Sequence, residues 1–148
     1  MVNQAPSFLL RAKKNTYAAH GAEVSPSRPA SHDLRYAEGD FLYLDTYLGG
    51  LQFSGEEAIW KDGVPIWSMN YCGRVTGDGF SGDFLKQALL RVTKDAPYRG
   101  PSEYIEGEMR YLSRADGDLS WFQGYEERTL SGKRVYACFF LGGVFRCI

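Results

Sequence analysis

The amino-acid sequence predicts an α+β fold in which two similar halves, each a helix followed by a three-stranded meander, form a mostly antiparallel sheet. Two segments carry apolar residues at helical spacing, and the remaining chain alternates runs rich in aromatic and β-branched residues with glycine turns. The 148 residues are a usual size for one domain. We therefore expect a single domain over residues 1–148, with halves at about 7–73 and 83–148.

Each half begins with a predicted helix. Ser7 is a capping residue type and precedes apolar residues at helical spacing, which predicts a helix from about Ser7 to Ala19 that ends at Gly21. The following segment, Gly21–Asp33, has two prolines and no periodicity, and it is predicted to be a long loop. Asp83 is the predicted cap of the second helix. The apolar face of that helix consists of Phe84, Leu85, Ala88, Leu89 and Val92.

Extended segments follow each helix, bounded by glycine and proline. The predicted strands of the first half are Phe41–Tyr47, Leu51–Trp60 and Val64–Cys72, and those of the second half are Glu103–Leu112, Leu119–Leu130 and Lys133–Leu141. Asp62-Gly63 is a hairpin signal between two of them. Gly142 and Gly143 permit a final short strand that reaches Ile148, for which an exposed edge position is one interpretation.

The two halves also resemble each other residue by residue at a fixed shift. Phe53, Gly55, Glu57 and Gly63 recur as Phe122, Gly124, Glu126 and Gly132, and Trp67, Tyr71 and Gly73 recur as Tyr136, Phe140 and Gly142. This recurrence predicts an internal duplication. The alternative is that any two hairpins of a β-rich domain share glycine turns and aromatic strands.

Composition excludes several functional classes. Seventeen basic and eighteen acidic residues give a formal charge of −1, so the sequence predicts no direct nucleic-acid binding and no membrane association. No segment has a signal-peptide core, which predicts a cytoplasmic protein. Cys72, Cys138 and Cys147 lack bridging or ligand spacing, and His20 and His32 lack a second ligand nearby. No disulfide, metal or cofactor is therefore predicted.

Aromatic residues make up 15% of the chain, enough to serve either a core or a ligand pocket. Strand alternation places Trp67 and Tyr71 on one face, and Tyr136 on the matching face of the second half. Glu57 and Glu126 share the faces of their neighbouring aromatic residues, where a carboxylate near rings would suit a cationic ligand. The alternatives are that the rings are ordinary core and that the glutamates face water.

Two other functions remain open from the residues alone. A small enzyme would use Asp45 or Glu57 as a base and Arg28 or Arg99 to hold an anionic substrate, because both arginines lie in proline-rich loops. An interaction module would pair an edge strand with a second protomer and form a homodimer.

Several short motifs, taken together, resemble a bacterial family known as domain of unknown function 5680. The motifs are Arg28-Pro29, Glu38-Gly39-Asp40, Tyr43-Leu44-Asp45-Thr46-Tyr47, Phe53-Ser54-Gly55-Glu56-Glu57, Trp67-Ser68-Met69-Asn70-Tyr71 and Pro97-Tyr98-Arg99-Gly100-Pro101. Relatives often carry this domain after a helix-turn-helix domain of the XRE regulator type, so the resemblance implies a sensing or oligomerising role. Because the first predicted helix begins at Ser7, we expect no DNA-binding domain in this chain.

The leading hypothesis from the sequence is a non-catalytic, sensor-like domain that binds an unknown small molecule. Its predicted ligand-binding residues are Asp45, Glu57, Trp67, Tyr71, Tyr136, Glu126, Arg28 and Arg99. Trp67, Tyr71 and Tyr136 would form walls, and the two glutamates would be polar anchors. Duplicated effector-binding domains of drug-sensing regulators, which hold an acidic aromatic pocket between halves, offer an analogy at the level of fold alone.

Overall fold

A computed structural model describes residues 4–146, which form an eight-stranded antiparallel sheet with two α-helices on one face. The helices are α1 (Ala5–Asn15) and α2 (Gly82–Leu89), and a 3-10 turn (Tyr17–Ala19) follows α1. The strands are β1 (His32–Glu38), β2 (Phe41–Gly49), β3 (Gln52–Lys61), β4 (Val64–Val75), β5 (Glu103–Glu106), β6 (Met109–Asp118), β7 (Trp121–Leu130) and β8 (Lys133–Val144). The predicted α+β class is therefore correct, with strand predominating.

The strand order is β1-β2-β3-β4-β8-β7-β6-β5, so two meanders meet along the β4–β8 pair, where Tyr71 lies opposite Phe140. Within residues 4–146 each meander has four strands, whereas the sequence predicted three. In the first meander the additional strand is β1. In the second, the segment predicted as one strand from Glu103 to Leu112 turns at Gly107, whose φ is 61°, and becomes β5 and β6.

The predicted edge strand at the C-terminus is wrong for the residues that the structure describes. Gly143 and Val144 continue β8, which lies in the middle of the sheet between β4 and β7. The sheet edges are instead β1 and β5. Ile148 lies outside the described residues. A strand that is paired on both sides cannot offer its backbone to another protomer.

The helix caps differ from the predicted ones by two or three residues. The N-cap of α1 is Gln4, with proline in the first turn, and Ser7 lies inside the helix. The cap of α2 is Ser81, whose hydroxyl accepts a hydrogen bond from the backbone N–H of Phe84 at 3.2 Å. Proline supplies a preset φ in a first helical turn, and serine is as good a cap as aspartate.

The predicted hairpin at Asp62-Gly63 is confirmed, with φ values of 50° and 79°. Ser131-Gly132 joins β7 to β8 with nearly the same values, 51° and 78°. Two consecutive residues with positive φ define the turn whose twist matches that of the flanking strands. The two turns therefore set the register of β3 on β4 and of β7 on β8.

One face of the sheet carries the core and is covered by the helices. Its largest buried side chains include Tyr43, Ile59, Trp67, Met69, Tyr111, Phe122, Tyr136 and Phe140, which pack against Phe8, Leu9, Phe84 and Leu85 of the helices. Alternation places Phe139 and Leu141 on the opposite face, where both are exposed. Among residues 4–146, neither helix has the length and apolar character required to cross a membrane.

Candidate functional site

A cavity of about 270 Å³ lies between the helical layer and the inward face of the sheet. Its lining combines aromatic rings with charged and apolar side chains. The lining residues are Tyr17, His32, Asp45, Tyr47, Gly49, Gly50, Leu51, Phe53, Tyr71, Val75, Phe80, Leu85 and Arg99. A concave, mostly apolar site with a few polar groups is the usual form of a small-molecule site.

Asp45 is the acidic group of this lining. It lies on β2, where strand alternation turns it inward beside Tyr43 and Tyr47, and it is 5% exposed. Tyr71 donates its hydroxyl proton to Oδ1 of Asp45 at 2.5 Å. Gly55 makes this contact possible, because a Cβ at that position would lie 2.5 Å from the Tyr71 oxygen. The glycine on the intervening strand thus lets the tyrosine reach across β3.

The pKa of Asp45 is raised to about 7. Burial is the main cause, and the negative charge of Glu57, which lies directly opposite across β2 and β3, raises the pKa further. The hydrogen bond from Tyr71 and the positive charges of Arg99 and Lys13 act in the opposite direction. Asp45 therefore exchanges its proton near neutral pH, where an ordinary aspartate is fully ionised.

Glu57 lies behind Asp45 in a closed polar cluster. The ammonium of Lys13, from α1, donates to both carboxylate oxygens at 2.7 and 2.9 Å and to the backbone carbonyl of Tyr98 at 2.5 Å. The hydroxyl of Tyr43 also donates to Glu57. Burial lowers the pKa of Lys13, and the charge of Glu57 opposes that shift. Glu57 is thus held by donors from the protein itself.

Glu126 has an equivalent cluster in the second meander. The Nε–H group of Arg99 donates a hydrogen bond to Oε1 of Glu126 at 2.9 Å, and Nη2 of Arg99 lies 2.8 Å from the same oxygen. Tyr136 donates to Oε1 at 2.8 Å, and Tyr111 donates to Oε2. The guanidinium also lies over the ring of Tyr71, 5.0 Å from its centroid. Arg99 thereby joins the Glu126 cluster to the wall of the cavity.

Two polar atoms in the cavity lining lack partners. Among residues 4–146, Nη1 of Arg99 donates no hydrogen bond and Oδ2 of Asp45 accepts none. In that same range, the fully buried side-chain atoms without a partner are Nε1 of Trp67 and Nε of Arg128. The free atoms of Arg99 and Asp45 are therefore accessible, and both belong to side chains that line the cavity.

The structure brings together three of the predicted site residues in the cavity lining: Asp45, Tyr71 and Arg99. Trp67 lies in the core, stacked on Phe122 with 6.0 Å between ring centroids.

The remaining predicted site residues lie elsewhere. Tyr136 lies behind the cavity wall and stacks on Phe53 and Phe80. Glu57 and Glu126 are buried in their own clusters, which removes the alternative that they face water. Arg28 lies on the opposite face of the sheet, where it donates to Thr46 at 3.0 Å.

Sequence reasoning missed three partners of the two glutamates, Lys13, Tyr43 and Tyr111. Lys13 stands four residues after Leu9, inside the apolar stripe of α1, and a lysine in such a stripe signals a buried charge. Tyr43 shares the inward face of β2 with Asp45, so alternation could have found it. Tyr111 lay in a segment predicted as one strand, and its face could not be assigned without the turn at Gly107.

Cysteine and histidine give no second site. Cys72 is exposed and Cys138 is buried, and both are free thiols, while Cys147 lies outside the described residues. Burial raises the pKa of the Cys138 thiol to about 12, which makes it a poor nucleophile. No group of three or more potential metal ligands occurs in the described chain from Gln4 to Arg146.

Comparison with known proteins gives one result. A family model described as Domain of unknown function (DUF5680) matches residues 45–145. A search of curated proteins and a search of solved structures found no match. The matched segment starts at Asp45 and includes Tyr71 and Arg99, whereas Tyr17 and His32 of the cavity lining precede it.

Proposed function

The chain belongs to the family described as Domain of unknown function (DUF5680), and we propose that in this protein the domain is a non-catalytic small-molecule-binding module. The ligand would lie in the cavity between the helices and the sheet. The observation that carries this proposal is the pair of partly free polar groups, Asp45 and Arg99, in an aromatic lining. A folded protein does not ordinarily leave such groups without partners unless water or a ligand meets them.

The two polar groups of the site are held in place by other residues of the protein. Arg99 is held by Glu126, and Asp45 is held by Tyr71, so both polar groups are oriented before a ligand arrives. The ring of Tyr136, which lies behind the cavity wall, stacks on the ring of Phe80, which is part of the wall, with 5.6 Å between the centroids. Prior orientation lowers the entropy that a ligand loses on binding.

A fragment screen by NMR tests this proposal, with a cavity-filling variant as the check. Val75 lines the cavity, so Val75→Phe would fill part of it, while Arg74→Phe adds the same ring on the opposite, exposed face. Aromatic fragments should shift the signals of Tyr71 and Phe53 in the wild type and in Arg74→Phe, and should shift them much less in Val75→Phe. Fragments that bind elsewhere, or equally to both variants, would contradict a site in this cavity.

A catalytic role for Asp45 is the second candidate. The pKa of about 7 suits a general base or acid at neutral pH, and Arg99 would hold an anionic group nearby. Mass spectrometry of a compound bound in the cavity distinguishes the two functions. Recovery of the compound unchanged supports a binding module, whereas conversion that is lost in Asp45→Asn supports an enzyme.

We also propose that the two meanders arose by duplication. Matching features in both halves support this: a tyrosine that donates to a buried glutamate, as in Tyr43 to Glu57 and Tyr111 to Glu126, and a hairpin turn with paired positive φ. The symmetric strand order about β4 and β8 is also what two copies joined edge to edge would form.

A further inference from the structure

One of the buried carboxylates beside the cavity has no ion-pair partner among residues 4–146. Six charged side chains, each 7% exposed or less, lie in or behind the cavity wall, between the helices and the sheet: Lys13, Asp45, Glu57, Arg99, Glu126 and Arg128. Lys13 pairs with Glu57 at 2.7 Å, and Arg99 pairs with Glu126 at 2.8 Å. Among residues 4–146, Asp45 takes part in no ion pair. Arg128 donates to the backbone carbonyl of Ser81 and lies against the rings of Phe80 and Phe84, so it is not a counter-ion of Asp45. Of these three buried carboxylates, Asp45 is therefore the one without an ion-pair partner.

The surroundings of Asp45 fit a positively charged organic group. Its Oδ1 is occupied by the Tyr71 hydroxyl, while Oδ2 is free. The rings of Tyr17, Tyr47, Phe53 and Phe80 line the same cavity. Aromatic faces attract cations, and a carboxylate in a ring-lined pocket combines that attraction with an ion pair.

We propose that the ligand is an organic cation, an ammonium or amidinium on a flat apolar body, with its charge on Oδ2 of Asp45 and its body against the rings. This inference rests on the proposed function, since it names the ligand class of the same cavity. The ligand's charge would supply the ion-pair partner that Asp45 lacks. A cavity of about 270 Å³ admits a body of one or two fused rings.

Binding of a cation should release a proton. Burial and Glu57 hold the pKa of Asp45 near 7, and a cation on its carboxylate would lower that pKa. The titratable and charged groups that act on Asp45 from its own and neighbouring elements are Lys13, Tyr17, Tyr43, Tyr47, Glu57, Tyr71 and Arg99. Burial raises the pKa values of these tyrosines and lowers that of Lys13, whose ammonium is paired with Glu57. His32 lines the same cavity, stacked on Tyr47 and hydrogen-bonded to Glu23, so the variant Asp45→Asn is what assigns the pH dependence to Asp45.

Three probes of one shape test the ligand class: tryptamine as the cation, tryptophol as the neutral alcohol and indole-3-propionate as the anion. Calorimetry in buffers of different ionisation enthalpy gives affinity and protons released, and NMR locates each probe. The variants are Asp45→Asn, which keeps the shape without the charge, and Glu56→Gln, which removes a negative charge from the opposite face of the neighbouring strand.

Tryptamine should bind at least tenfold more tightly than either analogue, and about tenfold more weakly at about pH 6 than at about pH 8, because the ionised form of Asp45 becomes scarce. Asp45→Asn should lose that preference, the pH dependence and the released proton, while Glu56→Gln keeps all three. Tighter binding of tryptophol or indole-3-propionate in this cavity would overturn the cationic class and leave the proposed function standing. Absence of cavity shifts with all three probes at millimolar concentration would overturn both.

Discussion

The two meanders surround their buried glutamates in the same way but differ in the residue that lies opposite each glutamate. In the first, Glu57 lies opposite Asp45 across β2 and β3. In the second, Glu126 lies opposite Ser113 across β6 and β7. Each glutamate pairs with one cation and accepts one tyrosine hydroxyl from the preceding strand. The first meander therefore has a carboxylate without an ion-pair partner at this position, where the second has a serine, and that carboxylate lines the cavity.

The cations of the two clusters also differ. Burial works against the charge of both, yet Glu126 and neighbouring groups raise the pKa of Arg99 well above its ordinary value, whereas the pKa of Lys13 remains lowered. A guanidinium forms several directed hydrogen bonds at once and an ammonium is a point charge. The comparison indicates that the charge of Arg99 is held more firmly than the charge of Lys13 and that the Glu126 cluster is a fixed structural unit.

Glu126→Gln should have the largest effect, because it leaves Arg99 charged and buried without a counter-ion. Removal of one partner from a buried ion pair destabilises a protein by about 3–5 kcal/mol. Urea unfolding measures the free energy, and Glu127→Gln is the matched control, since its side chain lies on the opposite face of β7. Equal losses in both variants would mean that the Glu126 cluster is not the structural unit described above.

Lys13→Met should destabilise by a somewhat smaller amount, about 2–4 kcal/mol at about pH 8, because Glu57 and Asp45 then lie together without the ammonium. The loss should shrink as the pH falls, since Asp45, whose pKa is raised to about 7, can take up a proton. Unfolding curves at about pH 6 and about pH 8 measure this difference. Lys14→Met, exposed on the same helix, should show no such dependence. A loss that does not change with pH would argue against coupled carboxylates.

Asp45→Asn should have the smallest effect and the opposite sign. A carboxyl whose pKa is raised in the folded state holds its proton more tightly there, so it stabilises folding at low pH and loses that contribution as the pH rises from about 4 to about 7. The neutral amide avoids this loss and should stabilise by on the order of 2 kcal/mol at about pH 8, with little gain at about pH 4.

Asp33→Asn is the matched comparison for this last variant. Burial tends to raise the pKa of Asp33, but hydrogen bonds from Ser27, Ser31 and Thr46 outweigh it, and the pKa is lowered. The stabilisation from Asp33 is therefore present above its unfolded pKa and lost as the pH falls. Urea unfolding should show that Asp33→Asn destabilises at about pH 8. If Asp33→Asn raised the free energy of unfolding at about pH 8, or Asp45→Asn lowered it, the opposite pKa shifts of the two aspartates would be contradicted.

Local patterns predicted much of the fold. Apolar spacing located α1 and α2, and Asp62-Gly63 located a hairpin, because helix periodicity and turn chemistry depend on neighbouring residues. Cap positions and the turn at Gly107 were missed. Serine, aspartate and proline compete at helix starts, and a single glycine in a strand pattern does not by itself distinguish a bulge from a turn.

By itself, the sequence determined the class of fold, the inward faces of the strands and the aromatic and acidic content of the interior, since alternation and helical spacing follow from backbone geometry. Only the tertiary structure decided which acid faces the cavity. Glu57 and Asp45 share an inward face, and their roles separate because Lys13, from a distant helix, reaches Glu57 while Arg99 is engaged by Glu126. Charge pairing depends on distances in space, which strand patterns do not carry.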